Sequence, residues 1–434
     1  MYRLLISLGA NMEKLIQVFK IKEVRQKILY ILGIFVIFRL TANIPIPGID
    51  LEKLRLFFEG NQFLGLLNIF TGGALSKLSL VMLGLGPYIT AVIVMQLLTM
   101  IFPRLEQLYK EEGEKGRQKF NQYGRLLTVP FAFLQGYAMI ALLSRQGVVG
   151  VLSSLQTFII LITITAGTVF LMWLGELISE KGLGNGVSLL IFAGIVAGFP
   201  TALRQTLATY DSSQIPSYLG FVVIALLVIV GVVIITEGRR NIPISYAKRV
   251  RGNRVYGGVS TYLPLNVNPA GVIPIIFAIS FMLFPSMVGS FLRNAATPWV
   301  AKAGEFLVGI VSQQGVAYIL IYFILVVLFT YLYTAVTFDP KNVSGNLQRM
   351  GGFVPGIRPG KPTSDFLYFI LNRVLLIGAL FLGLIAVAPT LVQNATGIAT
   401  FTVGGTSVLI VVSVVLEMMR QLESQLTMRD YEGF

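Results

Sequence analysis

The sequence predicts an all-α polytopic membrane protein with about ten transmembrane helices. Of its 434 residues, 55% are hydrophobic and 12% are charged, whereas a soluble domain of this length would carry far more charge. The apolar runs are long enough to cross the bilayer core as helices, and they lack the alternating pattern of a membrane β-barrel. Because only helices and closed barrels satisfy their own backbone in lipid, these runs are predicted to be helices.

Ten apolar segments are predicted to span the membrane, and polar loops separate them. In chain order they are 28–44, 78–102, 126–143, 155–174, 187–202, 219–235, 272–291, 316–338, 374–391 and 408–419. The first of them is the expected insertion signal. Because the count is even, both termini are expected on the same side of the membrane.

The positive charge of the chain is concentrated in alternate loops. The formal net charge is +14, and most basic residues lie in 1–27, 103–125, 237–263 and 339–365. The positive-inside rule therefore places these segments and both termini, including the tail 422–434, in the cytoplasm. Two interpretations of this charge are open. It can reflect membrane topology alone, or it can form a surface that binds an acidic or phosphate-bearing partner.

Two of these loops, 237–263 and 339–365, are longer than a connection between helices needs. In the second, the prolines and glycines of 353–360 predict an exposed, shaped tip that carries Arg358. Long ordered loops usually carry function, and solvated positive-inside charge is the alternative interpretation.

The segment 61–80 contains an apolar run that is too short to span a bilayer. Thr71, Gly72 and Gly73 separate this run from the next helix. Such a run is either an interfacial helix or a re-entrant segment packed inside the protein, and its residues alone favour neither.

Few ionisable residues lie within the predicted spans. Arg39 lies late in the first span, where it is expected to snorkel or to cap helix ends at the outer interface. Ion-coupled transporters usually place charged residues at mid-membrane, so a proton or sodium relay is not expected.

The sequence also lacks the residues of several classes of site. It contains no cysteine and no histidine, which excludes thiol nucleophiles, histidine bases and zinc sites of the Cys/His type. It has no Walker-type phosphate loop, and its glycine-rich stretch 182–186 precedes a spanning helix instead of following a strand. No enzyme activity, cofactor or metal is therefore expected.

Six groups of residues form a specific pattern along the chain. They are Arg39 with 44–48, 86–90 with 96–98, 172–176 with 182–186, 263–265 with Asn268 and 270–274, 353–360, and 404–407. In this order they resemble the SecY family, the large subunits of the bacterial protein-conducting channel, over residues 12–425. The resemblance implies a passive channel in the bacterial plasma membrane that moves unfolded preproteins across and releases transmembrane segments laterally into lipid.

The resemblance implies two pseudo-symmetric halves of five helices each, 28–203 and 219–421, joined by an external linker, 204–218. It also implies roles for single positions. The implied pore ring is Leu85, Ile89, Val187, Ile191, Ile276 and Ile410. The implied plug near 64–75 includes Leu64, Leu67, Asn68, Phe70 and Gly72, which favours the re-entrant alternative. The second, third, seventh and eighth spans would form a lateral gate, with Gln96 facing it.

The implied partners follow from the same resemblance. Because the chain has no ATP site, the SecA ATPase or a translating ribosome would drive transport from the two long loops. The implied contact residues are Arg239, Arg240, Lys248, Arg249, Arg254 and Arg358, which suit an acidic surface or RNA phosphate. SecE and SecG are the implied partner subunits, and preproteins with signal sequences and membrane lipids are the implied ligands.

Two alternative functions make different demands on the sequence. A secondary transporter of a small solute, also built from inverted repeats, would need a polar site at mid-membrane. An intramembrane enzyme would need catalytic groups that this sequence lacks.

Overall fold

The computed structural model describes residues 21–46, 68, 71–110, 112–145, 147–150, 152–208, 215–246, 249–251, 254–256, 260–293, 297–311, 315–396 and 400–432. Helices dominate this part of the chain. They are α1 (Lys22–Ala42), α2 (Gly86–Ile101), α3 (Pro103–Lys110), α4 (Gly113–Arg145), α5 (Ser154–Lys181), α6 (Gly186–Ala208), α7 (Ile215–Glu237), α8 (Ile273–Leu292), α9 (Pro298–Val311), α10 (Val316–Thr337), α11 (Pro340–Arg349), α12 (Lys361–Thr396) and α13 (Thr400–Glu432).

Within the described ranges, five short strands interrupt the second part of the helical sequence. They are β1 (Arg239–Tyr246), β2 (Arg249–Arg251), β3 (Arg254–Tyr256), β4 (Ser260–Asn266) and β5 (Gly352–Phe353). Strands β1, β4 and β5 form one antiparallel sheet in the order β4-β1-β5, and β2 pairs with β3.

Each of the ten predicted spans overlaps one helix, which leaves α3, α9 and α11 as additional short helices. Among the described residues, four helical stretches are long and apolar enough to cross a membrane. They are Gly113–Ser144, Ser154–Lys181, Val316–Arg349 and Lys361–Val392. The pair α2 and α3, bent by 110°, would make a fifth, and Gly186–Thr201, Val222–Glu237 and Ile273–Met282 are shorter apolar helices.

The second predicted span begins later than expected. The sequence predicts a helix over 78–102, but α2 begins at Gly86, and 71–85 forms consecutive turns. Pro45 pairs with Ser79 in an antiparallel bridge. Backbone bonds to a stretch more than 30 residues away replace the helical ladder here, and local hydropathy carries no sign of such a pairing.

The described residues divide into two compact units. The first comprises those within 1–214, 283–315 and 414–434, and the second those within 215–282 and 316–413. In the first unit α2 packs on α4, α4 on α5, and α5 on both α1 and α6. In the second unit α12 packs against α7, α10 and α11.

Glycines permit close backbone contacts inside the first unit. A Cβ atom at Gly186 would lie 1.9 Å from the carbonyl oxygen of Gly175, so α6 begins directly against α5. A Cβ atom at Gly167 would lie 2.1 Å from the carbonyl oxygen of Leu80. Only glycine fits at these two positions, and the contacts fix where α6 and the segment 71–85 rest on α5.

Candidate functional site

The predicted pore-ring residues lie mainly at the beginnings of helices. In the first unit Leu85 is the N-cap residue of α2, and Ile89 follows one turn later on the same face. Val187 and Ile191 have the same spacing in the first turns of α6. Leu85, Ile89 and Ile191 are buried, whereas Val187 is half-buried.

The second unit contains the other two predicted ring residues. Ile276 lies in the first turn of α8, and its backbone N–H donates to the carbonyl oxygen of Val272 at 3.3 Å. Ile410 lies in α13, and none of its surface is exposed. All six side chains are branched aliphatics, which offer neither charge nor a hydrogen-bonding group.

The glycine-rich stretch before α6 is a structured helix entry. Asn185 Oδ1 accepts hydrogen bonds from the backbone N–H groups of Val187 at 3.0 Å and Ser188 at 3.2 Å. Ser179 Oγ accepts from the N–H of Gly186 at 2.9 Å. These side chains satisfy N–H groups that a helix leaves unpaired at its first turn. They therefore hold Val187 and Ile191 in place on α6.

The described part of the predicted plug is tied together by its own polar groups. The carbonyl oxygen of Asn68 accepts from Gly73 N–H at 2.7 Å and from Thr71 Oγ1 at 3.0 Å. Asn68 Oδ1 accepts from Ser76 N–H at 2.8 Å. Gly72 and Gly73 have φ angles of +67° and +82°, which side-chain-bearing residues rarely adopt. The predicted plug residues Leu64, Leu67 and Phe70 lie outside the described residues.

The turns of 71–85 are packed inside the first unit. Leu75, Leu78 and Met82 are almost fully buried. They belong to a core cluster with residues of α4, α5 and the 147–150 turn, namely Met139, Ile140, Leu143, Val148, Val149, Leu161 and Ile164. The short apolar run 63–70 itself lies outside the described residues except for Asn68, so the choice between an interfacial helix and a re-entrant segment stays a prediction.

Arg39 makes a contact that sequence reasoning missed. We expected it to snorkel or to cap helix ends, but its Nη1 donates to the carbonyl oxygen of Gly72 at 2.5 Å. The side chain is part-buried, and the two residues are 33 positions apart. A charge-assisted bond to a carbonyl is among the stronger hydrogen bonds in proteins. No local sequence signal could have identified this partner.

The helices of the predicted lateral gate contact one another in two pairs, α2 with α4 and α8 with α10. In the first unit α2 packs on α4, and Gln135 Nε2 donates to Thr90 Oγ1 at 3.4 Å. Gln96 is half-buried on α2, and its carbonyl oxygen accepts from Thr99 Oγ1 at 2.6 Å. The other contact, between α8 and α10, is made by residues of the second unit.

Aromatic rings join α8 to α10. Phe277 meets Phe329 and Tyr333 edge-on, with ring centroids 6.1 Å apart in both pairs. Phe281 meets Phe329 at 5.8 Å. Edge-to-face contacts of this kind add to the stabilisation that burial of the rings provides.

The two long loops meet in one sheet, which the sequence did not predict. Strand β1 pairs with β4 along seven residues, and its end pairs with β5, with Ser245 opposite Phe353. Beneath the sheet lies a core cluster of Ile242, Leu265, Val354, Leu367 and Ile370. The loops 237–263 and 339–365 are therefore parts of one folded element.

The tip that carries Arg358 is fixed on both sides. The Arg358 carbonyl accepts from Thr363 Oγ1 at 2.8 Å, and the Gly360 carbonyl accepts from Ser344 Oγ at 2.7 Å. Asp339 caps α11 by accepting from the N–H groups of Lys341 and Asn342. The Arg358 side chain is exposed, so a fixed backbone presents this cation at the surface.

The other predicted contact residues lie on the strands. Arg239 and Arg240 are exposed at the start of β1, and Arg239 Nη2 lies 3.6 Å from Glu237 Oε2. Arg249 and Arg254 are in the paired strands β2 and β3. Lys248 lies outside the described residues.

Comparisons with known proteins agree with the resemblance. The family profile described as SecY matches residues 79–419. The protein translocase subunit SecY of Streptomyces coelicolor is 44% identical over 434 residues, which cover 96% of this chain and 98% of that protein.

Two solved structures share the fold. One concerns SecY and its plug domain, described as stabilising the closed state and maintaining a membrane seal; it matches with a TM-score of 0.64 and 21% identity over 94% of this chain and 96% of that chain. The other is Sec61 in a canine ribosome–channel complex, with a TM-score of 0.58 and 19% identity over 91% of both chains. The predicted all-α polytopic membrane class is confirmed, and no comparison supports the solute transporter.

Proposed function

The chain belongs to the SecY family and is a channel subunit of the protein translocase, and from this premise we propose how its residues form and control the channel. The proposal assigns the seal to Leu85, Ile89, Val187, Ile191, Ile276 and Ile410. A translocating chain carries every kind of side chain, so a constriction with fixed charge or specific hydrogen bonds would retain some segments and repel others. Aliphatic groups deform around any chain, and an empty aliphatic constriction excludes water and ions.

The plug closes the channel from the segment 64–75. Its described end is supported by the Arg39–Gly72 bond and by burial of Leu75 against α4 and α5. Opening would exchange these contacts for others, so the plug contributes to the stability of the closed state.

The proposal assigns lateral release to the four helices α2, α4, α8 and α10. Helix α2 packs on α4, aromatic rings join α8 to α10, and Gln96 of α2 faces the gate. The amino-acid composition of a translocating helix that reaches the gate decides whether it enters the lipid or stays in the channel. Each Leu favours lipid by about 0.3–0.6 kcal/mol, whereas a central Lys or Asp opposes entry by about 2.5–3.5 kcal/mol.

The energy for transport comes from outside the chain. The sheet β4-β1-β5 and the fixed tip with Arg358 form a docking surface for the SecA ATPase or a translating ribosome. Arg239, Arg240, Lys248, Arg249 and Arg254 add positive charge, which suits acidic side chains or RNA phosphate. The chain itself is not an enzyme.

The remaining assignments complete the proposed assembly. SecE and SecG join the chain in the bacterial plasma membrane, and both termini lie in the cytoplasm, as the loop charges predict. Identity of 44% to a translocase subunit across almost the whole chain is the observation that carries the proposal.

The test is reconstitution of the chain with SecE and SecA in liposomes. The measured quantity is ATP-dependent protection of a secretory preprotein from added protease. We expect protection with the wild-type chain and loss of at least nine-tenths of it, roughly the effect of one charge reversal at a docking site, with Arg358→Glu.

Arg104→Glu is the matched control, because Arg104 is also exposed but lies on α3, outside the two long loops. It should retain most of the protection. Normal protection with Arg358→Glu would show that the tip is not part of the docking surface. No protection by an inserted wild-type chain that binds SecA would contradict the proposed channel.

A further inference from the structure

An open groove of about 700 Å³ lies between α10 and α12 in the second unit. Tyr331 of α10 forms one side. The other side is a stripe of α12 residues, which are Asp365, Tyr368, Phe369, Asn372, Arg373 and Leu376. Nothing in the proposed transport path uses this groove.

The stripe follows the boundary between a polar and an apolar part of α12. Its spacing of three and four residues places all six side chains on one face of the helix. Asp365 lies at the polar beginning, and Arg373 is the last charged residue before the apolar stretch that starts at Val374. In a membrane helix this position lies at the level of the lipid phosphates.

The guanidinium of Arg373 is fixed within the groove. It stacks on the Phe369 ring, with 4.1 Å between the guanidinium carbon and the ring centroid. Helical side chains lean toward the helix N-terminus. The guanidinium of Arg373 therefore lies closer to Asp365 than the backbone of Arg373 does. Phe369 and Asp365 are four residues apart, which is about 6 Å along the axis. A cation and a carboxylate are therefore displayed about one helical turn apart.

Neither charge is neutralised by a residue that the structure describes. Within the described part of the chain, Asp365 makes no ion pair or hydrogen bond, and Arg373 has no acidic partner. Tyr368 and Phe369 are 58% and 52% exposed. Exposed aromatic rings at such a boundary are typical of the headgroup region of a bilayer.

We propose that this groove binds the headgroup of a phospholipid that carries a primary amine, such as phosphatidylethanolamine. Arg373 binds the phosphate, assisted by donors from Tyr331, Tyr368 or Asn372, and Asp365 accepts from the ammonium group. The acyl chains extend past Leu376 along the apolar surface of α12. Because Asp365 pairs with the ammonium group, and the uncharged glycerol of phosphatidylglycerol offers it no cation, the groove selects the ethanolamine headgroup over this anionic one.

The test measures lipid retained by the purified full chain. Native mass spectrometry follows binding from an equimolar mixture of phosphatidylethanolamine, phosphatidylglycerol and phosphatidylcholine. We expect the wild-type chain to retain phosphatidylethanolamine preferentially at one site. Arg373→Gln should weaken this binding about tenfold, as expected for loss of a charge-assisted bond to phosphate. Asp365→Asn should leave phosphate binding in place and abolish the preference for the ethanolamine headgroup.

Arg349→Gln is the control, because it removes an exposed arginine from α11, outside the groove. Arg373→Lys retains the charge and covers the case in which Arg373→Gln fails to insert; it should bind more weakly than wild type but keep the headgroup preference. Unchanged retention in both Arg373 variants would overturn the site, and an unchanged preference in Asp365→Asn would overturn the headgroup assignment.

A crosslinking experiment tests the occupant of the groove in native membranes. A photoreactive residue in place of Leu376 should capture lipid. Capture of a polypeptide instead would overturn the proposal that a lipid occupies the groove.

Discussion

Arg39 in the last turn of α1 donates a hydrogen bond from Nη1 to the carbonyl oxygen of Gly72, 33 residues later and 2.5 Å away. Gly72 has a φ angle of +67°, and a Cβ atom there would lie 2.9 Å from Cα of Gly194. One arginine therefore connects α1 to the segment that precedes α2, at a point where the backbone also touches α6.

Replacing Arg39 with Gln should loosen the closed channel. The variant loses a charge-assisted hydrogen bond, which contributes about 1.5–3 kcal/mol in proteins. We expect an increased ion flux through proteoliposomes that contain the chain with the proposed partners SecE and SecG, measured with no preprotein present. Lys77→Gln is the control, since Lys77 binds Asn43 at the exposed surface. A seal as tight in Arg39→Gln as in wild type would contradict a role for this bond in closure.

Alanine at Gly72 and at Gly73 should destabilise the chain to different extents. Both positions have left-handed backbone angles, so each substitution carries a conformational cost of about 1 kcal/mol. At Gly72 the new methyl would also collide with Gly194 and with the ring of Phe38, whereas the space beside Gly73 is open. Thermal unfolding in detergent should therefore show a clearly larger drop in Tm for Gly72→Ala. Equal decreases in Tm for the two variants would mean that the close contact of Gly72 with Gly194 does not contribute to stability.

Gly186→Ala should separate α6 from α5. Its Cβ atom would approach the Gly175 carbonyl oxygen to 1.9 Å, and backbone on both helices would have to shift. Since the shift moves Val187 and Ile191, we expect both a lower Tm and a leak of ions. Gly198→Ala lies in the same helix with nothing within 4 Å, and it should be neutral or slightly stabilising. Finding the two variants alike would argue against the Gly175–Gly186 contact.

Ile410→Asn should weaken the seal, because it places an amide where an aliphatic side chain is fully buried. We expect greater ion conductance and export of preproteins with defective signal sequences. Ile276→Asn should act in the same direction. Ile410→Val keeps the aliphatic character and should cost only about 0.5–1.5 kcal/mol of stability, with normal stringency. Unaltered conductance and stringency in both Asn variants would exclude these positions from the ring.

The helices were predictable from the sequence, whereas their long-range partners were not. The length of their apolar runs identifies α4, α5, α10 and α12, because an apolar run long enough to cross a bilayer predicts a membrane-spanning helix. The pairing of Ser245 with Phe353 joins residues more than 100 positions apart, and β1 begins with two arginines that suggest an ordinary polar loop. The turns of 71–85 could not be predicted from the sequence for a related reason. Their apolar composition matches that of a helix, and only backbone pairing with residues near Pro45 distinguishes them.

The sheet beneath the Arg358 tip also has a mechanical consequence. Only Gly238 separates the end of α7 from β1, β4 leads within seven residues into α8, and β5 leads through the tip into α12. A load applied to the tip is therefore shared among three helices at once instead of being absorbed by one flexible loop. If the proposed docking at the tip is correct, a force applied there would reach α7, α8 and α12 together.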